Sequence, residues 1–438
     1  MLALLLLCAA DWPGLLGTGD GLTEGPAPTA WSAQSGLDWS TRLPGRGDSS
    51  PAVAGQWIHL TAQTRNNDLH VLTLDRQRGR VTHDTVVGRG ELAATGPESL
   101  WADRHNAASP TPAADADRVW AFFGTGLLVC LEAATHNELW RRDLVQDYGA
   151  YDITFGMGAS PRLATRQAED GQTQPVLLIA CITKGASYVL CLDAADGSEV
   201  WTAERRYDVF RDAADAYATP VVRPTADGPE AIIVGSDRVD AYALADGRRR
   251  WVSEGLKVDS PFARIVATPA IGTGDLAGLV VACTANPSGG SVGRTVGFAV
   301  NDPRGTAAPM WQYAKASPDS CSPLLVGRSL VLLSGSGVLT TLSPLRGERA
   351  AVERLRGEYF ASPVAVTPAQ PGQPVTLYAL ATDGQCTVLA LDPAELPVPK
   401  PSVVQTNRLP GTFYATPAVA DGTVYLRAWE RLYAVTGE

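Results

Sequence analysis

The side chains that could do chemistry are few in this sequence and lie far apart. The cysteines form no C-x-x-C pair and no adjacent pair, so the signatures of zinc, haem c and thioredoxin chemistry are missing. No G-x-S-x-G nucleophile turn stands out, and no Walker-type phosphate loop occurs. The five histidines occupy the first third of the chain without the spacing of metal ligands, at His59, His70, His83, His105 and His136. We therefore expect no catalytic residue, no bound cofactor and no metal.

Aromatic and arginine side chains offer a candidate binding surface instead. They gather in segments that lead into Ser-Pro or Thr-Pro pairs. Three aromatic residues stand three positions before the proline, at Tyr217, Phe360 and Tyr414. Such side chains on loops above a rigid scaffold are typical of binding surfaces, and the alternative is that they fill the space between the loops themselves. The candidate surface comprises Tyr148, Tyr151, Arg206, Tyr207, Phe210, Arg211, Tyr217, Arg264, Phe360 and Tyr414. An enzyme would have to use acids of the same segments, such as Asp147, Asp152, Asp208 and Asp212.

The elements that must position these side chains are short β-hairpins. In residues 188–201 an apolar run ends in aspartate, a turn closes on Gly197, and a tryptophan follows four residues later. The run predicts a buried strand, the aspartate caps the turn, and the glycine takes a positive φ. The pattern recurs before Trp251 with the same spacing, and before Trp140 with His136 in place of the glycine. Three copies at intervals of roughly 50 to 60 residues indicate a repeat protein.

A second landmark, a Ser-Pro or Thr-Pro pair followed by an apolar strand, sets the number of repeats. Proline is tolerated at the first residue of a strand because its missing N–H is not yet needed there. Most of these starts are followed by further strands, and four short antiparallel strands repeated around a ring make the blades of a β-propeller. The eight starts are Ser50-Pro51, Ser109-Pro110, Ser160-Pro161, Thr219-Pro220, Thr268-Pro269, Ser322-Pro323, Ser362-Pro363 and Thr416-Pro417.

The sequence therefore predicts an all-β fold, an eight-bladed β-propeller of four-stranded antiparallel blades. Seven blades are the alternative because some repeats match the pattern poorly: His83 stands at the tryptophan position of the first, and Ala351 at that of the sixth. The last repeat lacks a fourth strand, while residues 37–41 look like an isolated strand ahead of the first start. We expect this N-terminal strand to complete the last blade, so that no sheet edge stays open.

The ends and the irregular stretches divide the chain further. Residues 1–10 are interpreted as the remnant of a signal peptide, residues 11–30 as an extended N-terminal arm, and residues 31–438 as a single propeller domain. Three possibilities stay open for the N-terminus, namely cleavage before Asp11, lipidation of Cys8 and no processing. They stay open because the apolar N-terminal stretch lacks the basic segment of a signal peptide. Residues 284–295 predict a loose hairpin loop, and the proline-rich residues 393–408 a long surface excursion from the seventh blade.

The net charge limits the classes of binding partner, and the positions of the cysteines bear on disulfide bonding. The formal net charge is −10, and no basic run is longer than three arginines, which argues against a nucleic-acid or anionic membrane surface. No later run approaches the roughly 20 apolar residues of a membrane span. The six cysteines after Cys8 lie mostly in apolar runs and are expected to be buried free thiols, with a Cys181–Cys191 disulfide as the alternative.

The hairpin pattern and its Ser/Thr-Pro start resemble the pyrroloquinoline-quinone (PQQ)-like propeller repeat over residues 31–438. Asp11-Trp12-Pro13, Gly17 and Asp20-Gly21 resemble the opening of secreted bacterial proteins with this repeat. The resemblance implies one of two functions. Quinoprotein alcohol dehydrogenases bind the quinone and Ca²⁺ over the central channel beside an adjacent cysteine pair, which this sequence lacks. BamB-like outer-membrane assembly factors bind no cofactor and act through protein contacts.

The missing chemistry and the resemblance together predict an exported, monomeric, non-catalytic propeller in the periplasm or cell envelope. Its partners would be envelope proteins, or a small or polymeric ligand at the propeller face. The alternative is an enzyme, either a dehydrogenase that uses PQQ with calcium or a carbohydrate-active enzyme that uses the central channel. The tryptophans at the repeat positions are expected to pack between blades rather than to stack on a quinone. These tryptophans are Trp140, Trp201, Trp251 and Trp311.

Overall fold

The chain forms a ring of eight β-sheets, seven with four strands and one with a fifth strand added at its inner edge, so the eight-bladed propeller is confirmed. The computed structural model describes residues 11–168, 171–260, 262–285, 293–300, 307–370, 372–392 and 400–437. The first strands of neighbouring blades contact one another around the central channel, and the fourth strand of each blade lies outermost. Helix within the described residues is limited to α1 (Leu144–Tyr148) and to short 3-10 turns at Glu98–Leu100, Arg211–Ala214 and Gly274–Leu276. None of these helices is long and apolar enough to cross a membrane.

The strands follow the repeat order predicted from the sequence. Two of them, β1 (Leu22–Glu24) and β2 (Leu37–Arg42), precede the first blade. Blades 1 and 2 consist of β3 (Ala52–Ala54), β4 (Trp57–Gln63), β5 (Asp68–Asp75), β6 (Val81–Arg89), β7 (Ala113–Ala114), β8 (Arg118–Phe122), β9 (Leu127–Glu132) and β10 (Glu138–Asp143). Blades 3 and 4 consist of β11 (Arg162–Gln167), β12 (Thr173–Cys181), β13 (Tyr188–Asp193), β14 (Glu199–Glu204), β15 (Val221–Arg223), β16 (Glu230–Gly235), β17 (Arg238–Ala243) and β18 (Arg249–Glu254).

The second half of the ring repeats the same order. Blades 5 and 6 consist of β19 (Ala270–Ile271), β20 (Leu279–Thr284), β21 (Arg294–Ala299), β22 (Ala308–Tyr313), β23 (Leu324–Val326), β24 (Ser329–Leu333), β25 (Val338–Leu342) and β26 (Arg349–Arg354). Blade 7 consists of β27 (Val364–Thr367), β28 (Val375–Leu380), β29 (Gln385–Leu391) and β30 (Ser402–Arg408), and blade 8 of β31 (Ala418–Ala420), β32 (Thr423–Ala428), β33 (Arg431–Val435) and β2.

The N-terminal strand β2 closes the ring, as the sequence predicts. It pairs antiparallel with β33, from Leu37 opposite Val435 to Arg42 opposite Arg431. The first and last parts of the chain therefore share one sheet, which closes the ring. The middle strands of the blades are buried on both faces, which is why they read as continuous apolar runs in the sequence.

The glycine-to-tryptophan spacing has a direct structural cause. The outer-strand tryptophan of one blade packs on the left-handed glycine in the last turn of the next blade. A Cβ added to Gly197, whose φ is +73°, would lie 2.6 Å from the Trp140 ring. The indole of Trp140 also donates a hydrogen bond to the Ala194 carbonyl at 3.2 Å. Among the described residues four seams share this packing, through the pairs Trp39 and Gly79, Trp140 and Gly197, Trp201 and Gly247, and Trp311 and Gly347.

The Ser/Thr-Pro starts form a hydrogen-bonded ring around one end of the channel. In seven of the eight blades the backbone N–H of this Ser or Thr donates to the hydroxyl of the equivalent residue in the next blade, at 2.8 to 3.2 Å. In blade 2 the member of this ring is Thr111, which precedes Pro112. The prediction that this blade starts at Ser109-Pro110 was therefore wrong by one Ser/Thr-Pro pair, because two such pairs follow each other directly in the sequence.

The seam between blade 8 and blade 1 is held by a buried arginine. One terminal nitrogen of Arg427, Nη1, donates to the Ser49 carbonyl at 2.9 Å, and the other, Nη2, donates to the Thr61 carbonyl at 2.7 Å. Only 1% of Arg427 is exposed, and burial lowers its pKa to about 10. Because the guanidinium still carries its charge at neutral pH, these are charge-assisted hydrogen bonds across the seam between the last blade and the first.

Three other expectations can be compared with the structure. The predicted excursion at residues 393–408 was wrong for its second half, since β30 (Ser402–Arg408) completes blade 7, and residues 393–399 lie outside the described residues. The loop predicted at residues 284–295 falls between β20 and β21, and its residues 286–292 also lie outside the described residues. Cys181 and Cys191 are free and buried, so the alternative of a disulfide between them was wrong.

Candidate functional site

The lower end of the channel, opposite the Ser/Thr-Pro ring, is covered by residues 11–25. Trp12 forms an antiparallel bridge with Val53 and is 1% exposed, while β1 pairs in parallel with the first strand of blade 7. Arg162 of blade 3 donates from Nη1 to the Gly17 carbonyl and from Nη2 to the Leu15 carbonyl, each at 2.8 Å. The segment predicted as an extended arm thus packs against the first strands of several blades.

The upper end is partly covered by the loop of residues 90–109, which connects blades 1 and 2. The Thr95 N–H donates to the Ile153 carbonyl at 2.9 Å, in the loop between blades 2 and 3. The Arg104 guanidinium lies 5.4 Å above the ring of Phe360, in the loop between blades 6 and 7. The loop therefore reaches over the mouth of the channel, which the sequence did not predict.

Two of the predicted aromatic residues belong to one stack at this mouth. The rings of Phe360 and Tyr414 lie 5.1 Å apart edge to face, and Tyr414 stacks on Trp429 at 6.0 Å. The Arg46 guanidinium covers the other face of this group, 3.8 Å from the Trp429 ring centroid. These aromatic side chains contact one another, so they fill part of the mouth.

Tyr217 and Arg264 form a second group in the loops around blades 3 to 5. The Phe155 N–H donates to the Tyr217 hydroxyl at 3.3 Å, and the Arg264 guanidinium lies 4.3 Å above the Phe155 ring. Burial raises the pKa of the Tyr217 hydroxyl well above its usual range. This hydroxyl therefore stays protonated and acts as a hydrogen-bonding group.

Tyr207 takes part in a buried charge network instead. Arg205 and Asp240 are both fully buried at their side chains and form an ion pair of 2.5 Å. The Tyr207 hydroxyl donates to the other oxygen of Asp240, and its ring lies 4.4 Å below the Arg238 guanidinium. Removing one member would leave a buried charge without its partner, so we interpret this network as structural.

Tyr148 and Tyr151 lie in the seam between blades 2 and 3. The Tyr148 hydroxyl donates to Glu199 at 2.6 Å, on the outer strand of blade 3. Tyr151 is 6% exposed, and its hydroxyl lies 3.5 Å from the Cys181 sulfur in the core. The structure therefore separates these two tyrosines from the other candidates.

The exposed members of the candidate surface lie on the loops that lead into blades 4 and 5. Phe210 is 63% exposed, and the neighbouring Phe262, which is not among the predicted surface residues, is 47% exposed. Arg211 lies beside the Phe210 ring at 5.0 Å, and the exposed Arg206 pairs with Glu204 at 2.7 Å. A groove of about 470 Å³ adjoins Phe210 and is lined by Asp208, Val209, Asp237, Arg238, Glu254, Gly255 and Lys257. We call Phe210, Phe262 and this groove the docking face.

The four candidate acids are not brought together. Asp147 pairs with Arg142 at 2.6 Å, and Asp152 accepts a hydrogen bond from Thr95 at 3.0 Å. Asp212 lies 3.8 Å from Lys184, whereas Asp208 lines the groove. Each of the four acids has different neighbours, so no two of them form a pair for acid–base catalysis.

Sequence reasoning missed a cluster of histidines between blades 1 and 2. His83 takes the tryptophan position of β6 and His136, at φ +59°, takes the glycine position of the next turn; their rings stack at 4.6 Å. Thr73 joins His59 and His136 through hydrogen bonds of 2.8 and 2.6 Å. Burial lowers the pKa of His59 to about 3 and that of His136 to about 4, and the other imidazoles add to both shifts. The signal was the paired replacement of tryptophan and glycine by histidine.

The tryptophans and the acidic side chains bear on whether a quinone and a metal could bind. Trp140, Trp201 and Trp251 are 7–9% exposed, and each donates its indole N–H within or between blades, as predicted, away from the channel. Within the part of the chain that the structure describes, no three His, Cys, Asp or Glu side chains are grouped to hold a metal ion.

The ring, the closing strand and the Trp–Gly seams define a propeller of the PQQ-like repeat class. A family model described as outer membrane protein assembly factor BamB matches residues 171–437, more than half of the chain. The chain belongs to this family. Among curated proteins, the comparison found no match.

Solved structures support the same fold. BamB from Moraxella catarrhalis is 15% identical and has a TM-score of 0.59, with 91% of this chain and 98% of that chain covered. A europium-containing methanol dehydrogenase is 12% identical, with a TM-score of 0.63 and coverage of 96% and 90%. The computationally designed Ika8 protein is 11% identical, with a TM-score of 0.53 and coverage of 92% and 100%. At these identities the similarity concerns the fold alone.

Proposed function

We propose that the protein is an exported, non-catalytic scaffold that binds protein partners in the bacterial cell envelope. The family supports this role, because its description names an assembly factor of outer-membrane proteins. The binding surface that we propose is the docking face. Neither PQQ nor calcium takes part in this proposal.

The observation that carries the proposal is the exposure of two aromatic side chains on adjacent loops of a rigid ring. Phe210 and Phe262 are 63% and 47% exposed, whereas Tyr217, Phe360 and Tyr414 contact other side chains at the channel mouth. Exposed aromatic side chains beside a groove are the usual anchors of protein interfaces. The covered channel ends support a role for the outer face of the loops rather than for the channel.

The experiment places a photo-crosslinking amino acid at Phe210 or Phe262, with the equally exposed Leu345 of blade 6 as the control. The protein is expressed in its own cells, crosslinked in the intact envelope, and the attached protein is identified by mass spectrometry. We expect one defined envelope protein at the two loop positions and none at Leu345. Crosslinks of equal yield at all three positions would refute the docking face.

A titration of the purified protein tests the enzyme alternative. A ligand that binds only the folded protein raises its Tm. We expect no shift of Tm or quinone absorbance with PQQ and Ca²⁺ together. A saturable shift would replace the scaffold by a quinone-dependent oxidoreductase.

A further inference from the structure

The loop that carries Phe210 passes from solvent into the core within a few residues. Phe210 is 63% exposed, whereas the side chain of Asp212 is 18% exposed and that of Asp215 is fully buried. Two backbone hydrogen bonds close the turn between them. The Ala213 N–H donates to the Phe210 carbonyl at 3.2 Å, and the Asp215 N–H donates to the Asp212 carbonyl at 3.0 Å. The change from exposed to buried therefore falls at Arg211.

The backbone of Arg211 lies in the left-handed region, with a φ of +49°. Residues other than glycine rarely adopt this conformation, because their Cβ is then too close to the backbone. Among the described residues the Arg211 guanidinium forms no ion pair or hydrogen bond, and it lies 5.0 Å from the Phe210 ring. Its own side chain thus does not hold the strained backbone. Such strain persists only where the surroundings impose it, and it is concentrated at functional sites.

Lys184 holds the buried side of this turn. Its ammonium donates a hydrogen bond to the Thr154 hydroxyl at 2.8 Å. The same nitrogen lies 3.3 Å from Oδ2 of Asp215 and 3.8 Å from Oδ1 of Asp212. The Thr154 N–H donates to Oδ2 of Asp215 at 2.9 Å. One ammonium therefore joins a turn within blade 3 to the connections on both sides of that blade.

The loop is also anchored on both sides of the turn. Before it, Arg249 donates a hydrogen bond to the Tyr207 hydroxyl at 3.0 Å. After it, the Ala216 N–H donates to the Ile182 carbonyl at 3.1 Å. Only residues 208–211 lie between Tyr207 and the side chains that Lys184 holds. A loop that is already fixed in its binding conformation loses less conformational entropy when a partner binds.

We propose that Lys184 and the left-handed backbone of Arg211 are positioning residues of the docking face, which hold Phe210 outward before the partner arrives. The inference rests on the proposed function and names the residues that set the affinity of its aromatic anchor. Lys184 acts through Asp212 and Asp215, which it holds in the core. Arg211 acts through its backbone, and its guanidinium is not required.

The first test uses the photo-crosslinking amino acid at Phe262, so that Phe210 stays native and the yield of crosslinked partner in the intact envelope reports binding. In this background Arg211→Gly relieves the strain, because glycine adopts a positive φ freely. We expect a Tm equal to or above that of the wild type, together with a crosslinking yield lower by about fivefold or more. A residue that only supports the fold would not combine these two results. Arg211→Ala keeps the Cβ and should crosslink as the wild type does.

The second test is Lys184→Met, which removes the ammonium. We expect faster hydrogen exchange of the amides of residues 208–214, unchanged exchange in β16 and β17, and the same fall in yield at Phe262. The matched control is Ala316→Gly, at another left-handed position, with a φ of +51°, in the loop between blades 5 and 6. Its crosslinking yield should equal that of the wild type. If Lys184→Met speeds exchange in β16 and β17 as well, the two Arg211 variants decide.

Two results with the Arg211 variants would overturn the proposal. An unchanged yield for Arg211→Gly would show that binding needs no fixed backbone. Equal losses for Arg211→Gly and Arg211→Ala would show that the guanidinium itself contacts the partner. Crosslinking at Phe262 that neither Arg211→Gly nor Lys184→Met changes would reject the positioning role and leave the proposed function standing, whereas no crosslink at Phe262 in the wild type would reject both.

Discussion

The Trp–Gly seam predicts a specific destabilisation by a single methyl group. Gly197 has a φ of +73°, and a Cβ there would lie 2.6 Å from Cε3 of Trp140, closer than real Cβ contacts. The left-handed backbone costs an alanine about 1–2 kcal/mol. Overpacking against a fixed ring adds about 1–3 kcal/mol. We therefore expect Gly197→Ala to lower the free energy of unfolding by about 2–5 kcal/mol.

The same blade offers a matched control. Gly171 has a φ of +79°, and a Cβ there would meet nothing within 4 Å. Gly171→Ala should therefore lose only the backbone cost, about 1–2 kcal/mol. Urea denaturation of both variants, with an unchanged m-value, measures the difference.

A double-mutant cycle isolates the ring contact. When Trp140→Ala has removed the indole, Gly197→Ala should cost no more than Gly171→Ala does, which gives a coupling energy of about 1–3 kcal/mol. Equal losses for the two alanine variants in the wild-type background would refute the reasoning, since the indole would then not constrain the glycine.

Three further predictions concern the histidine cluster, the Ser/Thr-Pro ring and the cysteine thiols. Because the folded-state pKa of His136 is about 4 against 6.5 in the unfolded chain, the unfolded state binds the extra proton as the pH falls. The free energy of unfolding should then fall between about pH 6 and 4.5. The variant His136→Asn, whose asparagine tolerates the positive φ, should reduce the slope of this fall, measured by urea denaturation, by about 1.4 kcal/mol per pH unit. Thr219→Val removes the acceptor of the Ser160 N–H and should cost about 1–3 kcal/mol in the same assay, whereas the exposed Thr202→Val should cost less than about 0.5 kcal/mol. The six described cysteines are buried and their pKa values are raised by burial, so they should resist a thiol reagent in native protein and react only in denaturant; rapid native labelling would contradict this.

Some elements of the fold could be predicted because their signals are local. The hairpin at Gly197 and the closing strand β2 depend on apolar runs, a turn glycine and a count of strands, all visible in the sequence. The start of blade 2 was misplaced because two adjacent Ser/Thr-Pro pairs are locally equivalent. Only Thr111 lies where a neighbouring blade can use its hydroxyl.

The exposure of the side chains in the candidate site could be predicted less well, because it depends on which loops pack against one another in the fold. Tyr151 and Phe210 were equivalent in the sequence as aromatic residues in connecting segments. In the structure the core buries Tyr151, while Phe210 faces solvent. The histidine cluster depends on strands that are distant in sequence, and neither His59 nor His136 has a local pattern that indicates the other.

The sequence by itself determined the repeat and predicted the closure of the ring, since these follow from periodic burial and from turn residues within each repeat, whereas the choice between eight blades and seven fell to the structure. The tertiary structure decided what the loops and the N-terminal segment do. Contacts between blades are long-range, and the sequence of one loop does not show which neighbour will cover it. Covering the channel ends and exposing Phe210 both arise from packing between parts of the chain that meet only in the folded ring.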